Sequence, residues 1–182
     1  MTENPWRRLA RQIAYDNAWI TVWHDDVVRP DGQPGIYGVV HYRARSIAVI
    51  ALDEQDHVIL VGQYRYPLNR YSWELPQGGG LPEEEPLAAA KRELREETGF
   101  SAANWEEILV AHMSNAITDE ETILYLARGL TEGIPEPEGS EKLQVRRVPF
   151  AEALAKVERG EITDAPSMIG LLRMAIARMH CK

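Results

Sequence analysis

The feature that most constrains the fold is a single, well-delimited helix in a region otherwise rich in β-prone segments. The pattern predicts this helix from Pro86 to Thr98, since proline suits a first turn and Gly99 suits a C-terminal cap. A glycine-rich loop is expected at 77–82, immediately before it. The apolar helix positions expected to face the core are Leu87, Ala90 and Leu94.

Runs of β-branched and aromatic residues predict strands on both sides of that helix. Before it, strands are expected at 13–28 (one or two strands), 36–42, 46–52 and 57–64, with turns at 30–32 and 54–56. After it, strands are expected at 107–113, 122–127 and 143–148, then helices at 150–158 and 166–180. This order predicts an α+β fold with a mixed sheet between helices, rather than a doubly wound alternation.

Charge and cysteine content narrow the class of protein. The chain has 182 residues, with 28 acidic against 20 basic side chains and a formal charge of −8, which disfavours broad binding to nucleic acid or anionic membrane. We expect neither a transmembrane helix nor a signal peptide, because the necessary apolar runs are missing. The only cysteine is Cys181, which excludes a disulfide framework and predicts a cytoplasmic location.

Three carboxylates project from one face of the predicted helix. Glu93, Glu96 and Glu97 stand at positions i, i+3 and i+4, where like charges repel one another. The pattern therefore predicts a bound cation, and oxygen ligands without nearby His or Cys favour Mg²⁺ or Mn²⁺ over Zn²⁺. A backbone carbonyl of the glycine-rich loop, for example that of Gln77, would complete the coordination.

The spacing around these carboxylates resembles the Nudix box, the signature of hydrolases that act on a nucleoside diphosphate linked to another group. The matching residues are Gly78, Glu84, Arg92-Glu93-Leu94, Glu96-Glu97 and Gly99, and Phe100 stands where the family usually has an aliphatic residue. Outside the box, the segments 63–67, 73–76 and 118–120, together with Asp164, resemble the branch that hydrolyses ADP-ribose and nucleoside-diphosphate sugars.

That resemblance implies the Nudix fold, an α/β/α sandwich, preceded by an antiparallel β extension. We expect the extension at residues 1–45 and the hydrolase domain at 46–182. In the branch, the extension contributes to a homodimer in which each subunit helps to build the substrate pocket of the other. A homodimer is therefore the expected assembly.

The resemblance also implies roles for individual residues. Glu93 and Glu97 would bind Mg²⁺ directly, Glu96 directly or through water, and Gln77 through its carbonyl oxygen. Arg92 would orient the glutamates by charge-assisted hydrogen bonds. The positions that shape the motif are Glu84, which would fix the loop against the helix, Gly78, which would allow a close backbone approach, and Gly99.

The resemblance to the branch also implies a general base and substrate contacts outside the box. The base would come from the acidic loop 136–141, first Glu141 and then Glu138, with ordinary solvated glutamates as the alternative. The residues with possible substrate roles are Arg65 (diphosphate or terminal ribose, or a surface ion pair), Trp19 (stacking on the base, or a buried strand residue), Glu120 (terminal sugar) and Glu74 (metal surroundings or substrate).

The expected reaction is Mg²⁺-dependent hydrolysis of ADP-ribose or another nucleoside-diphosphate sugar to a nucleoside monophosphate and a sugar phosphate. The segment 114–116 lacks the proline of ADP-ribose specialists, which leaves a wider sugar range. One alternative is a dinucleoside polyphosphate or RNA 5′ pyrophosphohydrolase, since the sequence at 76–79 resembles those enzymes. They often carry a tyrosine at the position where this chain has Ile117 and Thr118. A non-catalytic ADP-ribose sensor is a further alternative, which would be expected to lose carboxylates from the box.

Overall fold

The computed structural model describes residues 3–80, 83–136 and 142–180. The chain divides into two compact units, of which the first comprises the residues up to Arg45 together with His112–Glu121. The second comprises Ser46–Ala111 and the chain from Thr122 onward. Within the described ranges, no helix combines the length and the apolar character needed to cross a membrane.

The first unit is built on a three-stranded antiparallel sheet in the order β1-β2-β3. Its strands are β1 (Arg7–Asp16), β2 (Ile20–Val28) and β3 (Pro34–Tyr42). The turn expected at 30–32 joins β2 to β3, and Gly32 adopts the positive φ of 81° that favours glycine there. The sequence-based expectation that the first strand starts at 13 is wrong by six residues, since β1 starts at Arg7.

The loop between residues 112 and 121 packs against the edge of β3 within the same unit. The N–H of Val40 donates to the carbonyl of Ile117 at 2.8 Å. The N–H of Tyr42 donates to the Asp119 carboxylate at 3.0 Å, and the ring of His41 contacts the same carboxylate at 2.5 Å. These bonds satisfy edge groups of β3 that would otherwise face solvent.

The second unit contains a seven-stranded mixed sheet. Its strands are β4 (Ser46–Leu52), β5 (His57–Arg65), β6 (Arg70–Glu74), β7 (Gln77–Gly79), β8 (Ser101–His112), β9 (Glu121–Thr131) and β10 (Gln144–Pro149). The main order is β10-β5-β4-β9-β8, while β6 pairs with β5 and β7 pairs with β4. Strand β4 runs antiparallel to β5, as the turn at 54–56 predicts, and parallel to β9.

Helices cover both faces of this sheet. They are α1 (Pro86–Thr98), α2 (Phe150–Glu158) and α3 (Ala165–His180). Alternate side chains of β4 separate two cores: Ile47 and Val49 pack with Leu94 of α1, whereas Ile50 packs with Leu171 of α3. The second unit is therefore an α/β/α sandwich, which confirms the predicted fold class.

Several local expectations differ from the structure, including the start of β8, which lies at Ser101 rather than at 107. Leu87 is 36% exposed, whereas Ala90 and Leu94 are fully buried, so the core stripe of α1 is narrower than its apolar pattern suggests. The sequence predicts a loop at 77–82, but its first three residues form strand β7. Backbone pairing with β4 outweighs the weak strand propensity of glycine there.

Candidate active site

Arg92 joins three carboxylates of the box to the strand that precedes α1. Its Nη1 donates to Glu93 at 2.8 Å and to Glu96 at 3.0 Å. Its Nε and Nη2 donate to the two oxygens of Glu84 at 3.1 and 3.0 Å, and Nη2 also donates to the carbonyl of Gly79 at 3.0 Å. The hydrogen bonds that Arg92 donates to Glu84, followed by its contacts with Glu96 and Glu93, raise the pKa of Arg92 above its ordinary value. One guanidinium thus links Glu84 and the end of β7 to the carboxylates of α1.

Glycine at position 78 and the backbone of β7 bring the strand directly against α1. A β-carbon at Gly78 would overlap the carboxylate of Glu93. The N–H of Gln77 donates to Glu97 at 2.9 Å. Glu97 is only 2% exposed, and burial of a carboxylate is costly unless polar or cationic partners surround it.

The donor set around α1 suits a hard divalent cation in its chemistry. Glu93, Glu96 and Glu97 supply carboxylate oxygens only, which are the ligands that Mg²⁺ and Mn²⁺ prefer. Across residues 3–80, 83–136 and 142–180, no three His, Cys, Asp or Glu side chains are already gathered around one point. Arg92 contacts one oxygen of Glu93 and one oxygen of Glu96, which fixes the position of both carboxylates beside Glu97 on α1.

Arg65 and Glu74 lie together on neighbouring strands, β5 and β6. Arg65 donates through Nε to both oxygens of Glu74, at 3.1 and 3.0 Å, and through Nη2 at 2.5 Å. Burial lowers the pKa of Arg65, but the hydrogen bond and charge of Glu74 raise it, and the net shift is upward. The pair is more buried than a surface ion pair, because the Glu74 side chain is only 2% exposed.

Asp164, which the sequence analysis named only for its resemblance to the branch, belongs to the same polar network as Ser167, which the sequence did not single out. The amide nitrogen of the Gln77 side chain donates to Glu74 at 2.8 Å and to Asp164 at 3.3 Å. Ser167 donates to Asp164 and accepts the N–H of Leu75 at 2.8 Å. The usable signal was Asp164-Ala-Pro-Ser167, an N-cap pattern at the start of a helix.

Two candidate substrate residues lie in the first unit. Trp19 is 74% exposed in the turn before β2, so the alternative of a buried strand tryptophan is wrong. Glu120 lies in the loop on β3, where burial, followed by the charge of Glu120, raises the pKa of Tyr42. The candidate bases Glu138 and Glu141 lie outside the described residues.

Family models match nearly the whole chain. Residues 42–168 match the model described as the NUDIX domain. Residues 6–40 match the model described as the nucleoside diphosphate sugar hydrolase N-terminal domain.

Relatives and a solved structure agree with those matches. An ADP-ribose pyrophosphatase of Mycobacterium tuberculosis is 34% identical over 175 residues, covering 94% of this chain and 84% of the relative. An ADP-ribose pyrophosphatase of Bacillus subtilis is 32% identical over 161 residues, covering 87% and 86% respectively. The crystal structure of an ADP compounds hydrolase shares the fold, with a TM-score of 0.85, 21% identity and 98% coverage of both chains.

The fold, the box on α1 and the matching family model together define this chain as a member of the Nudix family. It is a Nudix hydrolase, an enzyme that hydrolyses a pyrophosphate bond. Its N-terminal segment further resembles the corresponding domain of nucleoside diphosphate sugar hydrolases.

Proposed function

We propose that the enzyme hydrolyses the pyrophosphate bond of ADP-ribose or another nucleoside-diphosphate sugar in a Mg²⁺-dependent reaction. The products would be a nucleoside monophosphate and a sugar phosphate. The observation that carries this proposal is the carboxylate face of α1, tied by Arg92 to the segment that follows β7. The two ADP-ribose pyrophosphatases among the relatives support the substrate class.

Glu93, Glu96, Glu97 and the carbonyl of Gln77 would hold the cation, Mg²⁺ or in its place Mn²⁺. When bound, such an ion neutralises charge on the diphosphate and makes a coordinated water more acidic. The chain's own part is to hold the ligands in place: Arg92 fixes Glu93 and Glu96 through one hydrogen bond to each carboxylate.

A carboxylate outside α1 would accept the proton of the attacking water. Glu141 is our first candidate and Glu138 the second, because both stand in the acidic stretch of sequence before β10. If the Glu141→Gln and Glu138→Gln variants both keep full kcat, the base lies elsewhere, and Glu120 becomes the next candidate.

Substrate recognition is assigned to Trp19, Arg65, Glu74 and Glu120. An exposed tryptophan offers a flat apolar face on which a nucleobase can stack. Arg65 keeps its charge and its donors in a partly buried position beside Glu74, which suits it to meet an anionic or hydroxylated group of the substrate. We propose a nucleoside-diphosphate sugar range wider than ADP-ribose alone.

A homodimer assembled through the N-terminal extension, residues 1–45, is part of the proposal. The first unit exposes several large apolar side chains: Leu9, Ile13, Tyr15 and Ile36 on the strands, and Trp19 in the turn before β2. Exposed apolar side chains grouped on one sheet are typical of interaction surfaces. Light scattering at micromolar concentration should give twice the chain mass of 20.6 kDa, and the mass of a single chain would contradict this assembly. A cytoplasmic location, inferred from the single Cys181, belongs to the same proposal.

The decisive experiment compares Glu97→Gln with wild type on ADP-ribose and ADP-glucose, with Mg²⁺ saturating and the products identified. We expect kcat to fall by about 10²-fold or more, because the cation supplies most of the charge stabilisation. Glu158→Gln makes the same chemical change at an exposed end of α2 and should leave turnover unchanged. Wild-type turnover in Glu97→Gln would refute the proposed function.

A further inference from the structure

Gln77 is held by three carboxylates from separate parts of the second unit, one through its backbone N–H and two through its side chain. Its N–H donates to Glu97 of α1 at 2.9 Å. Its side-chain amide donates to Glu74 at the end of β6, at 2.8 Å, and to Asp164 just before α3, at 3.3 Å. The residue also pairs with Ala48 of β4. With the N–H, the side chain and the strand pairing fixed, few directions remain for the carbonyl oxygen of this residue.

Asp164 uses its two carboxylate oxygens for two different purposes. Oδ2 accepts from the backbone N–H of Ser167 at 3.0 Å and from the Ser167 hydroxyl at 2.6 Å, which is the usual bonding of a helix N-cap. Oδ1 accepts from Gln77. A helix cap alone needs only one acceptor oxygen, so the second bond is additional to the requirements of α3.

Ser167 connects the same cap to the residue two positions before Gln77. Its side chain is fully buried, and its oxygen accepts the N–H of Leu75 at 2.8 Å. The carbonyl of Pro76 accepts the N–H of Val49 at 2.9 Å. The start of α3 and strand β4 therefore fix every residue of the segment from Leu75 to Gln77.

We propose that Asp164 is a positioning residue for the cation site, acting through the side chain of Gln77. This inference rests on the proposed function, in which the carbonyl of Gln77 is a ligand. Groups that orient a ligand typically change metal affinity or activity by about 10- to 100-fold when they are removed. The start of α3, far along the sequence from the box, would thus take part in cation binding without touching the ion.

The test separates helix capping from the contact with Gln77. Asp164→Ser keeps a capping oxygen but is too short to reach Gln77, so α3 should stay capped. Gln77→Met removes this contact from the other side, together with the hydrogen bond to Glu74, and keeps the backbone carbonyl. Asp56→Asn is the matched control, because Asp56 binds Arg178 near the other end of α3, at 2.8 and 2.6 Å.

The readouts are Mn²⁺ binding followed by electron paramagnetic resonance without substrate, and kcat and KM as functions of Mg²⁺ concentration. We expect about 10-fold weaker Mn²⁺ binding in Asp164→Ser and in Gln77→Met, with kcat reduced more than the sugar-nucleotide KM is raised. The double variant should bind Mn²⁺ about as well as Gln77→Met alone, because without the Gln77 amide Asp164 has no further contact with this residue to lose. Asp56→Asn should bind Mn²⁺ like wild type.

Three outcomes are decisive. Wild-type Mn²⁺ affinity in Asp164→Ser overturns the inference and leaves the proposed function standing. Additive losses in the double variant, or a loss in Asp164→Ser without one in Gln77→Met, show that Asp164 does not act through Gln77. If the wild-type enzyme itself binds no Mn²⁺, the proposed function fails, and the inference fails with it.

Discussion

Replacing Gly78 by alanine should damage catalysis without damaging the fold. The backbone of Gly78 does not have a positive φ, so alanine can adopt its conformation. The new methyl group would lie about 1 Å inside ordinary van der Waals distance of the Glu93 carboxylate, which would have to move by about that much. Because a misplacement of about 1 Å can cost ~10²-fold, we expect kcat to fall by about that factor, or ~2.7 kcal/mol.

The stability of Gly78→Ala should change little. Alanine lowers the entropy of the unfolded chain and stabilises by about 0.4–1 kcal/mol, which offsets part of the steric strain. The assay is steady-state turnover over a Mg²⁺ titration, together with urea unfolding. Gly38→Ala in β3 is the matched control, because a β-carbon there meets nothing within 4 Å. Gly78→Ala with the turnover and Mg²⁺ dependence of wild type would refute the requirement for Glu93 in its present position.

Two further predictions concern stability. The hydrogen bond from Arg11 lowers the pKa of Asp25. This pair therefore stabilises the first unit fully above about pH 4, the pKa of an aspartate in the unfolded chain. The stabilisation is lost as the pH falls through the lower pKa of Asp25 in the folded protein. The deficit of Asp25→Asn relative to wild type, measured by urea unfolding, should therefore shrink between pH 5 and about pH 3, and a constant deficit would contradict the linkage. Gly170→Ala in α3 would bring a β-carbon to 2.9 Å from Leu124 and 3.0 Å from Ile50. The cost of overpacking should exceed the gain of about 1 kcal/mol in helix propensity, so the free energy of unfolding should fall by about 1 kcal/mol. A rise in the free energy of unfolding would show that the core can repack around the added methyl group.

Much of the fold was predictable because several signals in the sequence agree. Proline at the start and glycine at the end delimit α1 at the expected residues, and Gly99 has the positive φ of 77° expected of a cap. The buried strand β4 is almost wholly apolar and coincides with its predicted range. Family membership and enzyme class followed from the box and are confirmed, while the roles of individual site residues stay predictions.

The remaining structure could not be predicted, because its cause lies in distant parts of the chain. All ten residues of β1 are exposed, so no alternation of buried and exposed positions marks its first half. Strand β7 is short and glycine-rich, and only its partner β4 makes it a strand. The contact between Gln77 and Asp164 joins positions that no local pattern relates.

The parallel pairing of β4 with β9 has a consequence for biosynthesis. Six of the seven residues of β4 are buried in the finished protein, yet its partner from Thr122 to Arg128 is translated much later. At typical ribosomal speeds of about 5–20 residues per second, the apolar strand β4 is synthesised roughly 4–15 s before its partner β9. During translation, this apolar stretch of the nascent polypeptide is therefore open to holding chaperones.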